Sequence, residues 1–170
     1  MKKTTLCYIE NNGRYLMLYR NRKPDDPNEG KWLGIGGKIE EGESSDECNQ
    51  REVLEETGLR LNSFVFHGII EFRSDTWDDE DMYLYSSSDF VPADEEAARV
   101  FKETGEYALP ECDEGELAWV KLEKINDLPV WEGDKIMFDY LFKRTPRRFF
   151  TMRFSYEGEK LVSHEEKEYL

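Results

Sequence analysis

A chain of 170 residues has the length of one ordinary domain and can bury a core without disulfides or a structural metal. Its 23 Lys and Arg against 38 Asp and Glu give a net charge of −15, the wrong sign for coating nucleic acid, while 14% aromatic residues argue against disorder. Cys7, Cys48 and Cys112 are odd in number and form no CxxC pair, and the apolar run at residues 6–9 is too short for a signal or a membrane span. The chain is therefore expected to be cytoplasmic, with no membrane or nucleic-acid partner, as a monomer or homodimer.

Residues 4–10 and 15–20 are β-rich runs around Asn11-Asn12-Gly13, a hairpin signal because Asn and Gly accept the positive φ of a tight turn. Residues 21–31 contain Pro24 and Pro27 and read as a loop. Residues 32–37 are apolar but hold Gly34, Gly36 and Gly37, a backbone suited to close approach. A helix is expected from about Ser45 to Thr57, ended by Gly58. Residues 61–72 predict a long strand with Phe64, Phe66, Gly68, Ile70 and Phe72 on one face, with His67 a packed core histidine. A polar loop at 73–81, a strand at 82–90 and a charged connection at 91–110 follow, the last with a helix over 94–102. A short strand at 117–122 precedes an amphipathic helix at 134–143, where Ile136 and Tyr140, and Met137 and Leu141, share i, i+4 spacing. Residues 149–156 and 160–162 read as a hairpin around Glu157-Gly158-Glu159. With no repeat or linker, the pattern is a single α/β (α+β) domain around a mixed sheet.

The chemistry concentrates between Gly37 and Leu59. Ser44 and Glu47 have capping-box spacing, and Gly58 suits a left-handed cap, so the helix between them is well specified. Its charges are poorly placed, however. Glu52, Glu55 and Glu56 stand at i, i+3, i+4, on one face and toward the helix C-terminus, where like-charge repulsion and the helix dipole both oppose them. Two readings are open: a solvated acidic face, or an oxygen-rich site for Mg²⁺ or Mn²⁺. Good caps beside badly placed charges favour the second, because locally consistent sequences break such rules at functional sites. The upstream glycines lack the spacing of a Walker A loop, but their bare backbone can bring a carbonyl to a metal.

This segment resembles the Nudix box, G-x5-E-x7-R-E-U-x-E-E-x-G-U with U aliphatic. Gly37, Glu43, Arg51, Glu52, Val53, Glu55, Glu56, Gly58 and Leu59 fill every position. The resemblance implies an α/β/α sandwich around a mixed sheet and hydrolysis of a nucleoside diphosphate linked to another group. It also implies that the Gly36 carbonyl and the carboxylates of Glu52, Glu55 and Glu56 hold divalent ions, while Glu43 and Arg51 tie the loop to the helix. The base differs among family members, and Glu52 is the assignment taken here. A chain at −15 repels a triphosphate unless cations mediate, which fits that dependence.

Beyond the box, residues 31–38, 111–120 and 131–134 resemble the MutT-like oxidised-purine triphosphate hydrolases. By that likeness Glu114 supplies a further metal or base carboxylate, Trp131 stacks on the purine and Asp134 reads its edge. Phe72 and Met82 line the pocket. Each has an alternative: a loop acid for Glu114, a core tryptophan for Trp131, a dipole-placed helix acid for Asp134, strand-core residues for Phe72 and Met82. Leu33 stands where mammalian enzymes of this type place an asparagine, and Gly133-Asp134 where they place two aspartates. The expected reaction converts 8-oxo-dGTP or another nucleoside triphosphate to monophosphate and pyrophosphate. ADP-ribose or dinucleoside polyphosphate hydrolysis, or nucleotide sensing without turnover, are the alternatives.

Overall fold

The hairpin expected at the start forms where the sequence signals it. Asn12 and Gly13 both take positive φ, 54° and 75°, and close β1 (Lys2–Asn11) onto β2 (Arg14–Arg20) in a two-residue turn. The computed structural model describes residues 1–143 and 149–169, without the side chain of residue 143. Among these, eight strands make one mixed sheet: β3 (Trp32–Leu33), β2, β1, β5 (Glu80–Pro92), β4 (Leu59–Ser74), β7 (Phe149–Glu157) and β8 (Lys160–Tyr169) in spatial order, with β6 (Gly115–Lys121) paired to β2. β1 runs parallel to β5 and β4 parallel to β7, and the remaining pairs are antiparallel.

Both faces of the sheet are covered, so central strands are apolar on both sides. On β1, Leu6 and Tyr8 enter one core with α3 (Glu132–Lys143), while Cys7 and Ile9 enter a second core with α1 (Ser45–Thr57). The second core is extended by α2 (Glu95–Thr104), whose Phe101 stacks on Phe90 at 5.3 Å. The result is the expected α+β sandwich. None of the described helices is long and apolar enough to cross a membrane.

The strand expected to place five residues on one face does not do so. Phe64 and Phe66 pack against the α1-side core, whereas Ile70 and Phe72 belong to the α3 side. A bulge between Phe66 and Gly68 sets two residues of β4 against one step of β5, inverting the alternation. Gly68, at φ 146°, permits it, because a Cβ there would lie 1.8 Å from the Phe150 carbonyl oxygen. His67, skipped by the bulge, is buried with Nε2 2.6 Å from Ser86 Oγ, the packed core histidine expected.

Other departures are of length. β4 and β5 run on to Ser74 and Glu80, shortening the expected loop. The expected 94–102 helix is α2, capped by Asp94 at one end and Gly105 at the other. The strand expected at 117–122 starts at Gly115 and gives way to a 3₁₀ turn over Leu122–Asp127. β8 continues to Tyr169 rather than stopping at Val162, through a charged run that pairs with β7. Such charges suit an edge strand, whose free side they protect from pairing with other chains.

Candidate functional site

α1 is delimited as its caps require. Ser44 Oγ accepts from the Glu47 N–H at 3.1 Å, and the Gly58 N–H closes onto the Leu54 carbonyl at 3.0 Å. Before it, residues 35–37 run strand-like beside β1. The Cys7 N–H donates to the Ile35 carbonyl at 2.6 Å and the Thr5 N–H to the Gly37 carbonyl at 2.9 Å. Strand alternation therefore turns the Gly36 carbonyl the other way, off β1. Side chains are excluded there: a Cβ on Gly36 would lie 1.8 Å from the Thr5 carbonyl oxygen. A Cβ on Gly37 would lie 2.4 Å from Glu52 Cδ, so the Glu52 carboxylate rests directly on bare backbone.

Arg51 organises the loop–helix junction. Its Nε and Nη2 grip Glu43 Oε2 and Oε1 at 2.6 and 2.9 Å, a bidentate pair. Nη1 reaches Glu52 at 2.8 Å and Glu55 at 3.3 Å, and Nη2 donates to the Lys38 carbonyl at 3.1 Å. The Glu43 carboxyl, which also accepts the Glu40 N–H, is held down at about 2, chiefly by Arg51. The roles expected for Glu43 and Arg51, tying loop to helix, have this geometry.

The three helix glutamates meet different environments. Glu55 is 58% exposed and touches Arg51. Glu52 is half-buried, and burial raises its pKa despite Arg51. Glu56 is pushed up to about 8, first by burial, then by the charges of Glu52 and Glu114. It shares a hydrogen bond with Glu52, while its Oε2 is buried without a partner. Glu114, far away in sequence, comes close enough to act on Glu56, and is held by Arg20 Nη2 at 3.2 Å and Lys23 Nζ at 2.6 Å. Arg20 is itself braced by Asp26 at 2.8 Å. Arg20 and Lys23 went unread in the sequence because a strand end and a proline loop carry no motif that pairs them with an acid 90 residues on.

Among the described residues no three His, Cys, Asp or Glu side chains already close on one point as a metal cage. Arg51 draws Glu52 and Glu55 toward itself, while Glu56 faces Glu52 and Glu114. The donor set nevertheless fits a hard divalent cation. It is all oxygen, and an unpartnered buried carboxylate oxygen among like charges is what a cation relieves. Gly36, Glu52, Glu55, Glu56 and Glu114 are the residues that could hold it.

The other expected residues gather on the α3 face. Leu33 pairs with Leu18 across β2, and Leu33, Phe72 and Met82 pack partly buried against the α3-side core. Trp131 is only 6% exposed. Its ring lies edge-to-face with Phe72 at 5.4 Å and Tyr156 at 4.8 Å, and its indole N–H donates to Asn28 Oδ1 at 2.8 Å. Lys31 Nζ stands over the ring 4.3 Å from its centroid and pairs with Glu159 at the β7–β8 turn. Asp134 is 7% exposed, its Oδ2 has no partner, and burial lifts its pKa to about 7. Asn28 and Trp77, which packs on the same core, were absent from the sequence reading because neither has a local pattern that sets it apart from an ordinary loop residue, and Lys31 entered it only as the first residue of the 31–38 stretch, with no role.

Comparison with known proteins adds four likenesses. The model of the NUDIX domain matches residues 2–141. An oxidized purine nucleoside triphosphate hydrolase of Danio rerio is 28% identical over 163 residues, covering 95% of this chain and 90% of its own. A nucleoside triphosphatase NudI of Enterobacter sp. (strain 638) is 28% identical over 145 residues, 81% of this chain and 94% of its own. The crystal structure of a mutator MutT protein from Bacillus halodurans has a TM-score of 0.76 and 24% identity over 98% of both chains, a likeness of fold.

Proposed function

The chain belongs to the Nudix family, and on that premise we propose that it is a divalent-cation-dependent hydrolase of nucleoside triphosphates. It releases monophosphate and pyrophosphate, with an oxidised purine such as 8-oxo-dGTP as preferred substrate. The observation that carries this reading is the Glu56 carboxyl, whose Oε2 is buried without a partner and which the charges of Glu52 and Glu114 crowd, next to a Glu52 that rests on the bare backbone of Gly37. The preference for an oxidised purine draws on the Danio rerio relative and on the apolar, carboxyl-bearing surroundings of Trp131.

Water attacking a polyphosphate is limited chiefly by positioning and charge. A divalent cation bound among these carboxylates would supply charge neutralisation for the phosphates and make water more acidic. The chain's own residues do the rest. Arg51 fixes Glu52 through one guanidinium nitrogen while its other nitrogens clamp Glu43, so the carboxylate is held in place before substrate arrives. Burial raises the pKa of Glu52 above the usual carboxylate value, which makes it the stronger base for the proton of the attacking water. Glu56 shares a proton with Glu52 and keeps the pair from carrying two full charges at once. On the α3 face, Phe72, Met82 and Leu33 offer apolar walls and Trp131 an aromatic one.

The test is a panel of 8-oxo-dGTP, dGTP, ATP and ADP-ribose with Mg²⁺, following pyrophosphate and monophosphate. Release from 8-oxo-dGTP ahead of the others is expected. Glu52→Gln should lower turnover by roughly 100- to 10,000-fold with its thermal melt retained. Turnover of ADP-ribose alone would reassign the pocket, and wild-type-like turnover by Glu52→Gln would remove the base assignment.

A further inference from the structure

Residues 105–114 cross from α2 to β6 as irregular backbone and bring Glu114 close enough to act on Glu56. Side chains fix the course of this segment. At its start the Gly105 carbonyl accepts from the side-chain amides of Asn11 and Asn12 at 3.1 and 3.4 Å. Tyr107 and Leu109 then pack, partly buried, against the α1-side core, and Cys112 is buried in it, while Glu106, Ala108 and Pro110 are exposed. Near its end Arg22 Nη1 donates to the Cys112 carbonyl.

The bond that joins this segment to α1 is made by Tyr107. Its hydroxyl donates to the carbonyl of Thr57, the last residue of the helix, at 2.7 Å. A helix end leaves its final carbonyls without intrahelical partners, so that oxygen is open to a donor from elsewhere in the chain. Gly58 makes room for the donor: a Cβ there would lie 2.6 Å from Tyr107 Oη. The next carbonyl, of Gly58, is already taken by the Ala93 N–H at 2.9 Å. Thr57 directly follows Glu56, and Tyr107 stands seven residues before Glu114. One hydrogen bond therefore spans the two pieces of chain that bear these carboxylates, whose like charges push them apart.

We propose that Tyr107 is a positioning residue: through the Thr57 carbonyl it seats residues 105–114 on α1 and so sets how far Glu114 stands from Glu56 across the cation site. It touches neither cation nor substrate. Mg²⁺ demands near-ideal ligand geometry, so a carboxylate on a loosened segment holds it less well. The inference rests on the reading of Glu56 and Glu114 as cation ligands.

Tyr107→Phe keeps the ring and removes the bond. Mn²⁺ binding to the full chain without nucleotide, followed by the electron paramagnetic resonance of the free ion, should weaken roughly three- to tenfold. In pyrophosphate release, the Mg²⁺ concentration giving half the maximal rate should rise by a similar factor, with kcat at saturating Mg²⁺ close to wild type. Glu114→Gln should weaken Mn²⁺ binding too, and Tyr107→Phe added to it should change little more, because the hydroxyl acts through Glu114. Arg22→Met, an exposed position, frees the Cys112 carbonyl and should move Mn²⁺ binding the same way. If Tyr107→Phe does not fold, unchanged binding in Arg22→Met overturns the inference. Unchanged binding in a folded Tyr107→Phe overturns it, as do effects that simply add in the double variant, which would mark the hydroxyl as a general brace of the fold. A wild type that binds no Mn²⁺ overturns it as well. Tyr107-dependent Mn²⁺ binding without triphosphate hydrolysis would sink the proposed reaction and leave the positioning role standing. Cation-dependent hydrolysis with Mn²⁺ binding indifferent to Tyr107 would do the reverse.

Discussion

Asp134 shows how one buried carboxyl links pocket chemistry to stability. Burial pushes it to about 7, while the Trp131 backbone N–H and Lys31 pull the other way. In the unfolded chain an aspartate titrates near ~3.9. Between those values the folded state holds a proton that the unfolded state has released. This group's contribution to stability is therefore complete below about pH 4, shrinks as pH rises and is lost above about 7. Asp134→Asn is neutral throughout. It should melt close to wild type near pH ~4 and gain on it with rising pH until about 8. The difference in melting temperature across that range checks it; a constant difference would mean that the carboxyl is hydrated. Arg51 has the opposite character. Its five donors are spent on Glu43, Glu52, Glu55 and the Lys38 carbonyl, so its charge is neutralised locally while it sets the position of the proposed base.

At the scale of elements, the site depends on two backbones lying closer than side chains allow. β1 and residues 35–37 hydrogen-bond at 2.6–2.9 Å, and the Gly36 position leaves no room for a methyl group. Gly36→Ala should force β1 and the loop apart. The expected result is a loss of turnover together with a lower melting temperature, measured by pyrophosphate release and circular dichroism. A variant with wild-type melting and turnover would mean that the strand shifts at little cost. The β4 bulge works at the same scale. By inverting the alternation at Gly68 it sends Phe64 and Phe66 to the α1 side and Ile70 and Phe72 to the α3 side, so one strand serves both cores.

Over the whole molecule, charge and layering set the terms of binding. A net charge of −15 gives a triphosphate no general attraction, so binding must come from local cation sites. Chelation of divalent ions should abolish pyrophosphate release, and adding back Mg²⁺ or Mn²⁺ should restore it, followed in one continuous assay. Full activity in excess chelator would remove the cation role. The two groups of candidate residues lie on one continuous sheet: the acidic helix packs on one face and the aromatic cluster around Trp131 on the other, with the glycine-rich segment at residues 34–37 touching both. In that segment Gly34 lies against Tyr8 and Gly37 against Glu52.

Much of this was legible in the linear chain because its causes are local. Helix caps, i, i+3, i+4 glutamates, a two-residue turn and the Glu43–Arg51 spacing all act within one or two turns of chain, so residue order alone determines them. The identities of the candidate ligands were readable for the same reason. Their environments were not. That Glu114 is clamped by Arg20 and Lys23, that Lys31 covers Trp131, that Asp134 Oδ2 is buried without a partner, and that β8 runs on to the end of the described chain depend on contacts between residues tens of positions apart. Burial and pairing at such separations are set by how the layers pack, and no local periodicity encodes them.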